Sequence, residues 1–517
     1  MSRLLPPRSR RSTWLSLVFA ISLSPSLMGP AASVHAQPAT GTTPVTPAPP
    51  ATPPTTVLRP QTVAPLPGAL DGVLMVNDNN PELITAPGVL LSTFPGAGRS
   101  QPDAHLDLPL SGRFDLFSHH VYAGRPESLD STLWLAVLAQ PRGTQPVNLR
   151  LLAGSTALSQ ATDNQQPGAP FLPLPALLPQ EGTVYSGPGS RVATELLNRQ
   201  RSPLLPQQWT LSPGEPSTLL VLPLPVRGLD PLLNGRNLQL RLQSDGPVSL
   251  ATLAAFGQGD QPPEASQWPA LLDGPLSPRE HSPTPRGSKG SIVYSRVSGV
   301  QIGSSWRATL TDPGQRWLSA SRAPISWPIS SLERGSLGTG QVQSAELQRY
   351  YPGTAWAAHG NYGVEYDLTI PLRNTGSTPV QLQLQLDSPL KHDQPLGGLR
   401  FNANPGRAVM FRGTVEVSGL DADADAGAMD LGPQHPAATI AAAGRRQFHL
   451  IQRSGQQGPA LGTVSLAPGA SRQLQVRLIY PADATPPQVL SLLPAAAPEA
   501  AGAPVKQSPA LPASRQP

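Results

Sequence analysis

Apolar and polar residues alternate along several short stretches of the chain, and this period of two is typical of half-buried β-strands. In the run VQLQLQL at 380–386, the valine and the leucines lie on one face of a strand and the glutamines on the other. Apolar runs also occupy 133–138, 147–152 and 366–372. The turn-rich segments QPRGTQP and RNTGSTP separate the two runs of each half, so the pattern predicts one β-hairpin in each half of the chain.

Two further patterns recur in the same order in both halves. They are an H-x-x-Y string beginning at His119 and again at His359, and a strand–turn–strand unit with the turns Pro213-Gly214 and Pro468-Gly469. We interpret the recurrence as an internal duplication, although Pro-Gly turns also arise independently in β proteins. The predicted fold class is therefore mainly all-β, with two β-sandwich-like, immunoglobulin-like domains.

Proline-rich tracts divide the chain, because proline-dense segments with few apolar residues stay extended and unpacked. In the middle tract, a short helix is predicted to begin at Pro263 and to end at Gly274. The predicted organisation is a signal peptide at 1–36, a disordered Pro/Thr-rich linker at 37–64, a first domain at 65–256, a Pro-rich linker with a short helix at 257–289, a second domain at 290–481 with a disordered insertion at 419–445, and a disordered Pro/Ala-rich tail at 482–517.

The first 36 residues have the pattern of a cleaved export signal. Four arginines within positions 3–11 precede a short apolar run at 14–23, and Val34-His35-Ala36 offers a small-residue cleavage site. We therefore predict cleavage after Ala36 and an exported protein, periplasmic or extracellular, that is soluble once cleaved. Arg10-Arg11 fits the twin-arginine pattern poorly, and the sequence leaves the export route open.

Composition narrows the function classes. The chain has 65 prolines, 47 glycines, 13% charged residues and no cysteine. These counts exclude a disulfide scaffold, a cysteine nucleophile and attachment of a lipid through an N-terminal cysteine. No later apolar run is long enough to span a bilayer, so no integral membrane segment is expected. The net charge of +5 falls to about +1 without the four signal arginines, which argues against nucleic-acid binding.

Histidines offer the main candidate chemistry. His119 and His120, with Asp115 nearby, and His359 in the second half are candidate acid–base or metal-binding residues. On a strand, His119 and His120 point to opposite faces, so they cannot share one metal ion without a bulge. The competing interpretation is that these histidines are packing residues hydrogen-bonded to the backbone.

Two other segments resemble ligand sites more weakly. Asp421, Asp423 and Asp425 alternate as in a calcium loop, but Ala426 and Gly432 replace the expected glycine and glutamate, which favours a solvated acidic loop. The segment GPGSR at 187–191 is either an anion-binding turn or the start of a helix over 192–197. No cofactor is predicted.

Aromatic residues in the second half are candidates for a surface that stacks on sugar rings. They are Trp306, Trp317, Trp327, Trp356 and Tyr362. The partners expected for such a surface are cell-envelope polysaccharide, peptidoglycan or other surface proteins.

Long ordered strings support a resemblance to a known family. They include NPELITAPGVLLSTFPGAG, LPLSGRFDLFSHH, VYSGPGSRV, GSLGTGQVQSAELQRYYPGTAWAAHGNYGVEYDL and LIYPADATPPQVL. These strings resemble a cyanobacterial family of secreted proteins known as a domain of unknown function, over about residues 65–490. The resemblance implies export and one unit that spans both halves, and it implies no established activity or catalytic residues.

We expect an uncharacterised exported protein, most plainly a non-catalytic binding or scaffolding protein of the cell envelope or extracellular space. The alternative is a hydrolase or other enzyme acting on envelope glycan, with acid–base residues near Asp115, His119 and His120.

Overall fold

The computed structural model describes residues 55–124, 131–160, 176–181, 187–422 and 444–495. The predicted signal peptide and its cleavage site lie outside this part of the chain. Strands account for most of the regular structure, which confirms the mainly β fold class. The physical reason is the density of proline and glycine, since both residues interrupt helices.

The strands before residue 257 are short, except for two that exceed twelve residues. In chain order they are β1 (Thr56–Pro60), β2 (Thr62–Val63), β3 (Ala69–Leu70), β4 (Leu74–Asp78), β5 (Gly88–Ser92), β6 (Leu110–Ala123), β7 (Leu133–Pro141), β8 (Val147–Leu158), β9 (Leu177–Pro179), β10 (Gln208–Leu211), β11 (Ser217–Leu224) and β12 (Leu233–Phe256).

The later strands follow two short helices, α1 (Pro188–Leu197) and α2 (Gln267–Ala270). These strands are β13 (Ser298–Ile302), β14 (Ser305–Thr309), β15 (Leu318–Ser319), β16 (Ile325–Ile329), β17 (Leu347–Tyr350), β18 (Glu365–Arg373), β19 (Val380–Asp387), β20 (Gly398–Asn402), β21 (Val409–Ser418), β22 (Arg446–Arg453), β23 (Ala460–Leu466), β24 (Ser471–Ile479) and β25 (Gln488–Pro494).

Strand β12 organises the first half. Its first part pairs with β6 and β8, and its second part pairs with β7 and β5. The register of its pairing with β6 shifts between Ser244 and Val248, where Gly246 and Pro247 interrupt the ladder. At this point the strand exchanges one pair of neighbouring strands for another. Leu240 of the first part and Leu250 of the second share one buried cluster, the core of this half.

Two sheets enclose the core of the second half. One has the order β3-β14-β18-β24-β21-β22-β9, with β15 also on β18, and the other has the order β2-β16-β25-β19-β23. Leu368 of β18, Leu384 of β19 and Leu490 of β25 are fully buried in the same cluster. The alternating pattern at 380–386 thus places its leucines in the core, as period-two burial requires.

The two predicted hairpins are wrong. β7 pairs with β11 and β12, and β8 pairs with β10 and β12, so these two strands do not pair with each other although they belong to one sheet. β18 and β19 lie in different sheets. The first turn segment leads from a strand on the second part of β12 to a strand on its first part, and the second turn segment leads from one sheet to another. In each half, the later strand–turn–strand unit pairs with the two strands that were predicted to form the hairpin. In the first half β10 pairs with β8 and β11 with β7, and in the second half β23 pairs with β19 and β24 with β18. The duplication stays a prediction, and this shared pairing scheme is an argument for it.

The predicted linker and tail are shorter than expected, because strands occupy one end of each. β1 falls inside the predicted linker and pairs with β20, and Arg59 of β1 holds the carboxylate of Asp387 at 2.5 Å. β25 falls inside the predicted tail, yet it pairs with β16 and β19 and buries Leu490 and Leu492. Burial of these leucines outweighs the disorder that the neighbouring prolines and alanines indicate.

The sheets also cross the predicted boundary at 257–289. β13 pairs with β4, and β3 pairs with β14, so each half supplies strands to the sheets of the other. The predicted helix in this tract forms as α2 followed by one 3₁₀ turn, and its Trp268 is buried against the first half. Within the described residues, none of the helices has the length and apolar character that a membrane crossing requires.

Candidate functional site

Several of the predicted site residues lie along one line where the two halves meet, which we call the junction. On the first half it is formed by β6 and β12. On the second half it is formed by β18, β24 and the segment 359–364. Asp115, Phe117 and His119 alternate along β6 and therefore share one face of that strand. They divide the junction into a charged end, an aromatic middle and a histidine end.

The charged end is a row of acidic and basic side chains, the charged row. It consists of Arg113, Asp115, Arg241, Glu365, Arg477 and Glu416.

Glu365 is the centre of the charged row because it joins the two halves. One carboxylate oxygen lies 2.8 Å from Nη2 of Arg241 on β12, and the other lies 2.7 Å from Nη2 of Arg477 on β24. Burial raises the pKa of Glu365, but the two arginines outweigh it and hold the pKa below its usual value. Asp115 is fully buried, and burial raises the pKa of its carboxyl although Arg113 donates to it at 2.7 Å.

Aromatic rings fill the middle of the junction. The ring of Tyr362 stacks on Phe117 at 6.2 Å and packs beside Tyr480 at 5.7 Å. Its hydroxyl donates to the carbonyl of Ala484 at 3.0 Å, and burial raises the pKa of Tyr362 to about 12. Tyr362 is therefore a core residue, which corrects its prediction as part of a ligand surface.

The histidine end brings together two of the predicted histidines through two residues that the sequence did not indicate. Nε2 of His119 lies 3.9 Å from Oε1 of Glu82, and Glu82 is paired with Arg296. Nη1 of Arg296 lies 3.2 Å from Nε2 of His359, whose ring packs edge-on against Tyr362 at 5.1 Å. Glu82, Arg296, His119 and His359 form the histidine cluster.

Both histidines of the cluster are held neutral. Burial, with a contribution from neighbouring positive charge, lowers the pKa of His119 to about 3 and that of His359 to about 3. Nδ1 of each ring is buried without a hydrogen-bond partner among the described residues. A neutral imidazole can accept or donate a proton, but His119 is only 6% exposed and His359 is half-buried.

His120 is separate from the cluster. It points into the first half, where Nε2 lies 2.9 Å from Oδ2 of Asp78 and Nδ1 lies 2.8 Å from the carbonyl of Pro81. Both side chains of the pair are fully buried. His120 thus ties the loop after β4 to β6, and it does not share a site with His119.

The residues missing from the sequence prediction come from distant positions. Glu280 accepts hydrogen bonds from the backbone N–H groups of Glu82 and Leu83 at 2.8 and 3.0 Å, and its carboxylate lies 3.7 Å from Nε of Arg296. The only local signal was the polar string NDNNPE at 77–82, whose asparagines and aspartate are buried.

Asp421 is buried, so neither the calcium loop nor the solvated acidic loop that the sequence favours describes it. Its oxygens accept hydrogen bonds from the backbone N–H of Ser465 at 3.1 Å and the hydroxyl of Ser465 at 2.9 Å, and they pair with Arg472 at 3.1 Å. These bonds fasten the end of β21 to β23 and leave no oxygens free for a cation. Asp423 and Asp425 lie outside the described residues. Among the described residues, no group of three or more His, Asp or Glu side chains could hold a metal ion.

The tryptophans divide into two classes. Trp306 and Trp327 are buried, and Nε1 of Trp306 donates to the carbonyl of Pro67 at 2.8 Å, so both are core residues instead of surface residues. Trp317 and Trp356 are partly exposed. An arginine lies over each ring, Arg373 at 4.7 Å and Arg286 at 4.1 Å respectively.

The GPGSR segment at 187–191 begins helix α1, and the anion at its start belongs to the chain itself. The backbone N–H of Ser190 donates to Oδ2 of Asp483 at 2.8 Å. Burial raises the pKa of the Asp483 carboxyl to about 6. A Cβ at Gly189 would lie 2.6 Å from the backbone nitrogen of Ala482, so this helix start requires glycine there. α1 joins the halves, with Leu196 packed against Ile479.

An open cavity of about 600 Å³ lies away from the junction, lined in part by Gln61, Arg322 and Gly398. None of the predicted acid–base residues lines it.

Comparison with known proteins gives one family. Residues 61–494 match the family model described as "Protein of unknown function (DUF3370)". No curated protein matches the chain.

Proposed function

The chain belongs to the DUF3370 family, whose function is unknown, and we propose that it is an exported, non-catalytic binding or scaffolding protein of the cell envelope or extracellular space. The observation that carries the proposal is that the candidate acid–base residues make contacts inside the protein. Asp115, His119 and His120 are all buried in contacts within the protein. Groups used in this way are occupied by contacts inside the protein and are withheld from a polymer in solution.

Export is proposed from the sequence. The arginines before the apolar run at 14–23, and the site after Ala36, have the order of a cleaved signal. Expression of the full chain in a bacterial host, followed by fractionation and N-terminal sequencing, tests this part. We expect a periplasmic or secreted protein beginning at Gln37, and an uncleaved cytoplasmic protein would contradict export.

The proposed binding surface contains the partly exposed rings Trp317 and Trp356. Each ring is amphipathic and is held in place by an arginine, an arrangement that suits stacking against sugar rings and bonding to their hydroxyl groups. The proposed partners are peptidoglycan, envelope polysaccharide or another surface protein.

Co-sedimentation with isolated peptidoglycan and with purified envelope polysaccharide tests the binding. We expect one of these polymers to retain the protein, and Trp317→Ala and Trp356→Ala together to reduce retention at least tenfold. Tyr350→Ala is the matched control, because Tyr350 is an exposed aromatic residue on edge strand β17. Equal retention of both variants would exclude the tryptophans, and no retention by any envelope fraction would count against the function.

One observation favours the enzyme as a second candidate. Glu82 and Glu280 both lie within ion-pair distance of the Arg296 guanidinium, and burial raises the pKa of Glu280. A carboxyl whose pKa is raised beside a carboxylate paired with arginine is the kind of pair that glycan hydrolysis uses. Release of reducing ends from the same polymers is the assay. Activity abolished by Glu280→Gln and retained by Glu346→Gln would establish the enzyme and overturn the non-catalytic proposal.

A further inference from the structure

A network of buried polar side chains lies at the start of strand β2, away from the junction. It runs from Gln61, which directly precedes β2, through Ser326 of β16 and Ser491 of β25 to Asp387 of β19. Gln61 is 8% exposed, and the other three residues are fully buried. Ser326 and Ser491 lie directly opposite each other in the pairing of β16 with β25. The network therefore connects the segment between β1 and β2 to three strands of one sheet.

The hydrogen bonds of this network define a route for a proton. Nε2 of Gln61 donates to Oγ of Ser326, and Oγ of Ser326 lies 2.7 Å from Oγ of Ser491. The hydroxyl of Ser491 donates to Oδ2 of Asp387 at 2.6 Å. Because a hydroxyl group has a single proton, Ser491 cannot also donate to Ser326, so Ser326 donates to Ser491. The proton of Ser326 thus has a route to the carboxylate of Asp387.

Arg59 contacts both ends of the network. Its Nε donates to Oε1 of Gln61 at 2.5 Å, and its Nη2 pairs with Oδ2 of Asp387 at 2.5 Å. The first contact polarises the carboxamide of Gln61. A negative charge that moved from the carboxylate to Oε1 would remain in contact with the same guanidinium, and a donor placed where charge develops favours that transfer.

A hydroxyl with a proton acceptor, beside a polarised carboxamide, is the arrangement that acyl transfer requires. We propose that Ser326 and Gln61 become joined by an ester bond between Oγ and Cδ. Oγ attacks Cδ, its proton passes through Ser491 to Asp387, and negative charge develops on Oε1 beside Arg59. The Cδ–Nε2 bond then breaks, and Nε2 takes the proton back through Ser491 and leaves as ammonia. One hydroxyl and one carboxamide are converted into one ester and one ammonia, and no co-reactant is consumed.

A covalent bond suits this position because the non-covalent attachment of β2 is short. β2 consists of Thr62 and Val63 and pairs with β16 through these two residues. The chain has no cysteine, so a disulfide cannot fasten the segment. Gln61 also lines the open cavity of about 600 Å³, which gives the released ammonia a path to solvent. The ester fastens the segment that carries β1 and β2 to a core sheet of the second half.

Mass spectrometry of the full chain, purified from a bacterial host and denatured, tests the bond. We expect a protease digest to contain one fragment that joins the residues around Gln61 to those around Ser326, lighter than the two separate peptides by one ammonia molecule. Mild alkali is expected to separate the peptides and to leave a glutamate side chain at position 61. An N-terminal glutamine also loses ammonia when it cyclises, so the joined fragment is decisive and the mass of the whole chain is not.

Ser326→Ala is expected to abolish the joined fragment. Ser298→Ala is the matched control and is expected to retain it, because Ser298 is a buried serine outside this network whose hydroxyl donates to the carbonyl of Leu90. Ser491→Ala, which interrupts the proton route and leaves the ion pair of Asp387 in place, is expected to leave most of the two peptides separate. Wild-type peptides that separate at their unmodified masses would overturn the proposal, whether or not the variants fold. A joined fragment that persists in Ser326→Ala would overturn it as well.

Discussion

The charged row and the histidine cluster occupy opposite ends of the same junction, and they bury titratable groups in different ways. In the charged row, Glu365 bridges an arginine from each half at 2.8 and 2.7 Å. In the histidine cluster, His119 has only a carboxylate 3.9 Å away, and its Nδ1 has no partner among the described residues. The first end compensates charge with charge, whereas the second avoids charge by lowering the pKa of its histidines.

This difference predicts which end of the junction contributes stability at all pH values and which end contributes stability that depends on pH. A compensated row is stable over a wide pH range but loses much when one partner is removed. A buried neutral histidine destabilises the folded protein little at neutral pH. In acid, the unfolded chain binds a proton at this histidine and the folded protein does not, so the folded protein becomes less stable. The charged row is also backed by α1, which packs against β21 and β24, the strands that carry Glu416 and Arg477. The histidine cluster is bordered mainly by loops.

The largest effect is expected from Glu365→Gln. This change removes the carboxylate that, among the described residues, joins Arg241 to Arg477. Arg477 then keeps Glu416 at 2.8 Å, but Arg241 keeps only the more distant Asp115 at 4.0 Å. We expect the free energy of unfolding to fall by about 3 kcal/mol, as measured by urea denaturation.

Glu346→Gln is the matched control for that measurement. Its partner Arg286 is 64% exposed, and exposed ion pairs contribute little. We expect no measurable change. If both variants lost a similar amount of unfolding free energy, Glu365 would contribute no more than a surface ion pair. The charged row would then not differ from the histidine cluster in the way argued above.

A smaller loss is expected when the helix behind the charged row is displaced. In Gly189→Ala, the added methyl group meets the backbone of Ala482 at 2.6 Å. We expect a destabilisation of about 1–3 kcal/mol in urea denaturation, the range for overpacking. Gly72→Ala is the control, because a Cβ there meets no atom within 4 Å. An unchanged Gly189→Ala would show that α1 is not fastened to the segment carrying Asp483.

The strands could be predicted from the sequence more readily than their partners. Alternation at 380–386 sets the buried face of β19, because burial of one face has a local signature. The partners of β19 are β23 and β25, which come much later in the chain. The pattern within 380–386 shows which face of β19 is buried, but it does not show which strands pair with it. The sequence predicts a disordered tail where β25 forms, because the proline-rich surroundings of this strand resemble a linker.

The histidines of the junction could be identified, but their setting could not. His119 and His359 belong to a string that recurs in both halves, which is a visible pattern. Glu82, Arg296 and Glu280 reach the same place only because β4, β13 and the segment between α2 and β13 pack together. Glu82 precedes Glu280 and Arg296 by about two hundred positions, and no spacing rule connects them.

The smallest effect at neutral pH, and a growing one in acid, is expected from the histidine cluster. The pKa of His119 is about 3 in the folded protein, whereas the ordinary pKa of histidine, which applies to the unfolded chain, is 6.5. Between these values the unfolded chain binds more protons, so stability decreases as the pH falls through this window. The slope expected from this one site is about 1.4 kcal/mol per pH unit. His359 adds a contribution of the same sign.

Replacement of His119 by glutamine isolates this contribution in urea denaturation between about pH 4 and 7. Asp483, whose pKa is raised to about 6, has the opposite sign: the folded protein binds its proton more tightly, so acid stabilises through this group. Since Asp483 is present in both proteins, it cancels in the difference.

We expect His119→Gln to lose stability less steeply in acid than the wild type, and His281→Gln, at an exposed position, to follow the wild-type curve. Parallel curves for wild type and His119→Gln would mean that His119 is protonated without cost, and the contrast between the two ends of the junction would then fail.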